Sequence, residues 1–183
     1  MQNMRGSKVK LQEENYNQFY SSYIYVGNPP QKLMALFDTG SANTWILSDK
    51  VDLPENTLKM HHVFNEHKSK SFKNITPNGA KPMTIHFGSG QLQGHFVQDD
   101  IRIGLKDENA PDGDNSIKIK DFKFGLIEKQ KSIFDFFQFD AIVGMAQQGL
   151  AKKGFVPILD AMMQQNLLKD NIFAYYMTNQ NDE

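Results

Sequence analysis

A chain of 183 residues, 39% of them apolar and 22% charged, with 14 Phe, has the makings of one globular domain with a real core. This is not the composition of a disordered or fibrous segment. A net charge of −1 gives no reason to expect nucleic acid or an anionic membrane as partner. The absence of cysteine excludes disulfides and thiolate metal sites, and no apolar run reaches the roughly 18 residues of a membrane span.

Residues 1–17 are polar and read as a loosely held leading segment. Met1 to Lys10 lacks the apolar centre of a signal peptide, so the chain reads as a mature or trimmed piece of a longer protein. Tyr20 to Tyr25 favours a strand, and Gly27-Asn28-Pro29-Pro30 a turn. Gln31 to Phe37 then returns as a strand, first half exposed and then buried. Lys50 to Pro82 is the least apolar stretch and predicts loops, with short strands near Val63-Phe64 and Ser71-Phe72. Thr84 to Phe87 and Leu92 to Val97 predict a hairpin about Gly88-Ser89-Gly90, where the tip needs glycine freedom. Ile101 to Leu105 continues as a strand, Asp107 to Asn115 is an acidic loop, and Ile117 to Ile127 alternates as a strand does. Phe139 to Met145 predicts a buried segment. Ile158, Leu159, Met162 and Met163 at helical spacing predict one substantial helix over Pro157 to Leu168. Many short strands between turn signals argue an all-β barrel or sandwich, one domain with one or two short helices.

The stretch that carries chemistry is Leu36-Phe37-Asp38-Thr39-Gly40-Ser41-Ala42-Asn43-Thr44-Trp45. A carboxylate at the end of an apolar strand is costly unless it is hydrogen-bonded or working. Gly40 lets the backbone turn beside Asp38, and Thr39 and Ser41 place hydroxyls next to it. An ordinary Asp-Gly turn between two strands would have the same local pattern.

His61, His62 and His67 with Glu66 are expected to be solvated loop residues, because adjacent rings on a strand face opposite ways. Asp107, Glu108, Asp112 and Asp114 lack calcium-loop spacing. No metal and no cofactor is expected. Asn74-Ile75-Thr76 is a glycosylation sequon only in a secreted chain.

Phe37 to Trp45 resembles the first active-site loop of the pepsin-like aspartic proteases. Further matches occur in the same order along the chain. Glu14-Asn15-Tyr16 with Tyr23 to Gln31 resembles that family's first hairpin, and Ile85 to Gly94 its flap. Phe139-Asp140-Ala141-Ile142-Val143-Gly144-Met145 resembles the segment behind the catalytic loop, and Phe173-Ala174-Tyr175-Tyr176-Met177 the strand where the first lobe ends. The Lys- and Asn-rich loops and Phe87 are also similar to the plasmepsin-like enzymes of apicomplexan parasites. A lobe without cysteine departs from the family, which usually has a disulfide after the catalytic loop.

The resemblance implies an aspartic endopeptidase in which two carboxylates share a proton across an attacking water. One acts as general base and its protonated partner polarises the scissile carbonyl. Two carboxyls so close cannot both ionise, so their titrations belong to the pair. Asp38 is the one Asp in an Asp-Thr/Ser-Gly context. The chain is therefore expected to be the N-terminal lobe (1–183), with a C-terminal lobe missing after Glu183 and no activity as a monomer. Alternatives are a self-dimerising protease of the retroviral kind, with one Asp38 from each copy, and a non-catalytic peptide-binding lobe.

By resemblance, Thr39 holds the base of the loop, Gly40 makes its turn, and Ser41 hydrogen-bonds Asp38. Trp45 would normally reach a flap tyrosine, but Phe87 has no hydroxyl. Gly88 and Ser89 would bind an extended peptide through main-chain bonds. Leu36, Phe87, Ile133, Phe134 and Ile142 would line a pocket for bulky apolar side chains of a peptide or protein substrate. An uncovered interlobe surface predicts self-association or domain swapping. The resemblance further implies the secretory pathway, a vacuole or the extracellular space.

Overall fold

The computed structural model describes residues 12–14, 19–87, 90–104, 116–131 and 139–175. Among them run β1 (Gln12–Glu14), β2 (Phe19–Val26), β3 (Gln31–Asp38), β4 (Trp45–Asp52), β5 (Lys73–Asn74), β6 (Met83–Phe87), β7 (Gly90–Ile103), β8 (Ile117–Lys131) and β9 (Ala141–Gly144). Two short helices, α1 (Glu55–Leu58) and α2 (Ile158–Gln164), complete an all-β architecture. Strand order is β1-β2-β3-β9-β4-β8-β7-β5, with β6 on β7. A further antiparallel pairing of β2 with β7, Ile24 opposite Ile103, joins the two flanks of that order and closes a barrel. Closure satisfies backbone groups that an open sheet would leave at its edges.

The strands nearest the Asp38 loop are buried on both faces, which is why they read as unbroken apolar runs. Leu33 and Ala35 of β3, Ala141 and Val143 of β9 and Ile46 of β4 face the larger core, with Phe64, Ile101, Ile119 and Phe124. Leu36, Ile142, Trp45 and Leu47 face a smaller core with Leu92, Ile127 and Phe139. β3 and β9 run parallel, Ala35 opposite Ala141 through Asp38 opposite Gly144.

Two strands run longer than their sequence signals. β7 runs from Gly90 to Ile103, and through Gln98-Asp99-Asp100 it joins the strands expected at Leu92 to Val97 and from Ile101. Gln98 and Asp100 are only partly buried, whereas Asp99 is fully buried. Its Oδ1 accepts hydrogen bonds from Ser71 Oγ at 2.6 Å and Asp100 N at 2.8 Å, which offsets part of its desolvation, while Oδ2 is buried without a partner. β8 extends beyond Ile127 to Lys131. Its apolar alternation slips between Ile119 and Phe122, and there the β7–β8 register shifts, Asp99 pairing with Phe122 and Ile101 with Ile119. Asp121 takes up the extra residue at φ 51.

Other elements are displaced. The short strand near Ser71-Phe72 lies at Lys73–Asn74, and Phe64 forms a single parallel bridge to Ser48. α2 begins after Pro157 but ends at Gln164, short of Leu168. Residues 172–175 form no strand, since no described segment supplies them a ladder partner. Residues 1–11, 15–18, the whole of the acidic loop and Tyr176-Met177 lie outside the described residues.

Candidate active site

Asp38 is the last residue of β3, and the segment leaving β9 fixes its backbone. Met145 N donates to Asp38 O at 2.8 Å, and Ala146 N donates to Ser41 O at 2.9 Å. Gly125 N donates to Thr44 O at 3.0 Å, and Lys152 N to Asn43 Oδ1 at 3.0 Å. Each arm of the loop from Asp38 to Thr44 is thus tied to chain about 80–110 residues away, so the turn is rigid by tertiary contact and not by local propensity alone. Gly144 is required by close approach: a Cβ there would sit 2.4 Å from Ala42 C and 2.5 Å from Asn43 N.

The half-buried Asp38 carboxylate accepts from Gly40 N at 2.9 Å through Oδ1. The bond from Ser41 that the resemblance implies is not made. Ser41 Oγ is buried without a hydrogen-bond partner, and the Gly40 main chain takes its place. Thr39 is exposed and stands on an open concave surface with Met145, Ala146, Leu150 and Phe173. The base of the loop is held by the backbone bonds above. Leu150 and Phe173 are unusually exposed for their type, at 68% and 41%.

Trp45 is buried and fills the space over Gly125, where an added Cβ would meet its ring at 2.1 Å. Its ring lies 6.4 Å from that of Phe96 on β7, and Met83 and Ile85 of β6 pack against the same cluster. The β6–β7 hairpin therefore joins Trp45 through apolar packing. Phe87 pairs with Gly90 at its end. Gly88 and Ser89 at the tip, and Ile133 and Phe134, lie outside the described residues, as does the Phe87 side chain. Leu36 and Ile142 sit side by side in the smaller core. Ile142 is fully buried, so it would support a pocket from beneath instead of forming its surface.

His61 is not solvated. Its side chain and that of Asp140 are each 1% exposed, and His61 Nδ1 lies 3.1 Å from Asp140 Oδ1. The other two histidines are exposed as expected, His62 at 69% and His67 at 76%. Asp140 also accepts from His62 N at 2.9 Å and Met34 N at 2.7 Å, while its own backbone O accepts from Leu47 N at 3.0 Å. The carboxylate thus ties β3 and the His61 loop to the start of β9, the strand that carries Gly144, and the Asp140 main chain adds β4. Sequence reasoning passed over it, although an Asp before the buried run Ala141 to Gly144 poses the same desolvation question as Asp38. Asp140→Ala would take the carboxylate from Met34 N, His62 N and the buried His61 ring, and is expected to cost about 3–5 kcal/mol. Asp140→Asn keeps one acceptor oxygen and should cost less. Urea unfolding midpoints of the two variants check the order. Among the described residues no group of three or more His, Asp or Glu is placed to hold a metal ion.

The family model described as eukaryotic aspartyl protease matches residues 19–183. Cathepsin D of Homo sapiens is 34% identical over 164 residues, covering 89% of this chain and 39% of the relative. Cathepsin D of Canis lupus familiaris is 37% identical over 175 residues, 94% of this chain and 41% of the relative. Chymosin of Camelus dromedarius is 32% identical over 158 residues, 86% and 37% of the respective chains. The chain thus spans about two fifths of the length of these relatives, and by the family match across nearly all of its length it belongs to the eukaryotic aspartyl proteases.

Proposed function

We propose that this chain is the N-terminal lobe of a two-lobed aspartic endopeptidase, supplying Asp38 as one of two catalytic carboxylates and the β6–β7 hairpin as the flap. The observation that carries the reading is the Asp38 loop itself. A half-buried carboxylate ends a strand buried on both faces, its own backbone pinned by Met145 and that of Ser41 by Ala146, beside exposed apolar Leu150 and Phe173. Such fixed geometry suits a group that must hold and release a proton against a positioned water. It is more than a turn requires.

With a second Asp across the concave surface, water between the two carboxyls loses its proton to the ionised one. As the water oxygen bonds to the carbonyl carbon, the protonated partner donates to the carbonyl oxygen. The tetrahedral centre then collapses to acid and amine, the leaving nitrogen taking the proton that the first carboxylate had accepted. An extended substrate would lie under the hairpin and hydrogen-bond through its main chain. The apolar cluster beneath Leu36 supports preference for bulky apolar side chains. Residence in the secretory pathway, a vacuole or outside the cell fits the family. No helix among the described residues is long and apolar enough to cross a membrane.

The test is an acid peptidase assay with a pepstatin-type inhibitor on this chain alone and on the chain joined to its following lobe. The joined form is expected to show inhibitable turnover and the lone monomer none. Turnover by the lone chain that rises with the square of its concentration would replace this reading with a self-dimer. Inhibitor-insensitive or absent turnover in both forms refutes it.

A further inference from the structure

We propose that Tyr175 is a positioning residue for Asp38, acting through the peptide plane that joins Phe37 to Asp38. The inference rests on the catalytic reading of Asp38 given above. The Tyr175 hydroxyl donates to Phe37 O at 3.1 Å, across 138 residues of sequence. That carbonyl shares one rigid plane with Asp38 N and Asp38 Cα. Fixing it therefore fixes the atom from which the carboxylate hangs. The following plane is held from the other side, by Met145 N on Asp38 O.

The topology explains why a side chain is needed. Successive carbonyls of a strand point to opposite sides. Asp38 O faces β9, so Phe37 O faces the β2 side. There the β2–β3 ladder ends at Ser21 opposite Leu36, one residue before Phe37. Phe37 O lies just past its last strand partner, and a phenol from the far end of the chain takes the vacant bond.

The phenol is itself held. Its ring meets that of Phe173 edge-on, 5.9 Å between centroids at 83°, and Phe173 shares the concave surface with Thr39 and Met145. Residues 173–175 thus form a bracket against the outside of the Asp38 loop. Burial and, second to it, the negative charge of Asp38 raise the Tyr175 phenol above its ordinary value. Tyr175 remains a neutral donor wherever the carboxylate pair can work, and no phenolate arises beside Asp38.

The experiment compares wild type, Tyr175→Phe and Tyr175→Ala in the full-length protein, with two readouts. Labelling with ¹³C′-Phe and ¹⁵N-Asp selects Phe-Asp junctions, which in these residues are 37–38, 134–135 and 139–140. Tyr175→Phe is expected to move the 37–38 cross-peak and leave the 139–140 one in place. An unmoved 37–38 peak overturns the inference, whatever the protein's activity. In peptide hydrolysis, Tyr175→Phe is expected to lower kcat about three- to tenfold with KM and thermal midpoint nearly unchanged. Tyr175→Ala, which also loses the ring against Phe173, should lower both kcat and the midpoint. Unchanged kcat in Tyr175→Phe overturns the positioning role. A wild type without proteolysis refutes the catalytic reading of Asp38 instead, and the cross-peak still decides whether Tyr175 holds that junction.

Discussion

Asp38→Asn in the two-lobed protein is expected to lower kcat/KM by about 10²–10⁴-fold, the range removed when a general acid–base group is lost. The substitution keeps shape, and the amide oxygen can still accept from Gly40 N at the place where Oδ1 does now. The main-chain bonds from Met145 and Ala146 do not involve the side chain at all. Fold and substrate affinity should therefore survive while proton transfer does not, and the loss should fall on kcat with KM little changed. Steady-state kinetics on an apolar-flanked peptide, with circular dichroism as the control for folding, checks this. A variant retaining a tenth of wild-type turnover would mean that Asp38 is not one of the catalytic pair.

Gly144→Ala is the second large effect, and it acts on stability first. The added methyl would meet Ala42 C at 2.4 Å, Asn43 N at 2.5 Å and Asn43 O at 2.6 Å, all main-chain atoms that cannot rotate away. Relief requires β9 to part from the Asp38 loop, which breaks the bonds from Met145 and Ala146. A cost of about 3 kcal/mol, the upper part of the overpacking range, is expected, and so a fall in Tm of roughly 6–12 °C for a chain of this size. Gly149 is the control, because a Cβ there meets nothing within 4 Å. Gly149→Ala should leave Tm nearly unchanged. If the two variants melted together, the close packing of Gly144 on the loop would be disproved.

Local patterns announced the parts of this molecule whose causes are local. Asp38 between apolar runs, the prolines after Gly27 and the alternation in β8 each carry their own explanation over a few residues. What escaped has partners far away. His61 stands in a polar stretch and reads as solvated. Its burial depends on Asp140, 79 residues on. Asp99 stands among three polar residues that no apolar signal spans, yet it is buried in β7, where Ser71 Oγ donates to its carboxylate. The slip in β8 shows in the sequence as a three-residue step from Ile119 to Phe122, but that Asp121 absorbs it in the left-handed region is seen only in the structure. Tyr175 belongs to the same class: its hydroxyl meets a carbonyl at the opposite end of the chain.

The parallel pairing of β3 with β9 has a consequence for synthesis. Met34 and Asp140 bond across 106 residues, so on a ribosome adding about 5–20 residues per second β3 waits roughly 5–20 s for its neighbour. Throughout that interval one flank of an apolar strand stands open, available to any passing nascent chain. The residues that later carry the proposed chemistry are therefore the ones most in need of a chaperone during translation, and slowing elongation before Ala141 should raise aggregation more than slowing it afterwards.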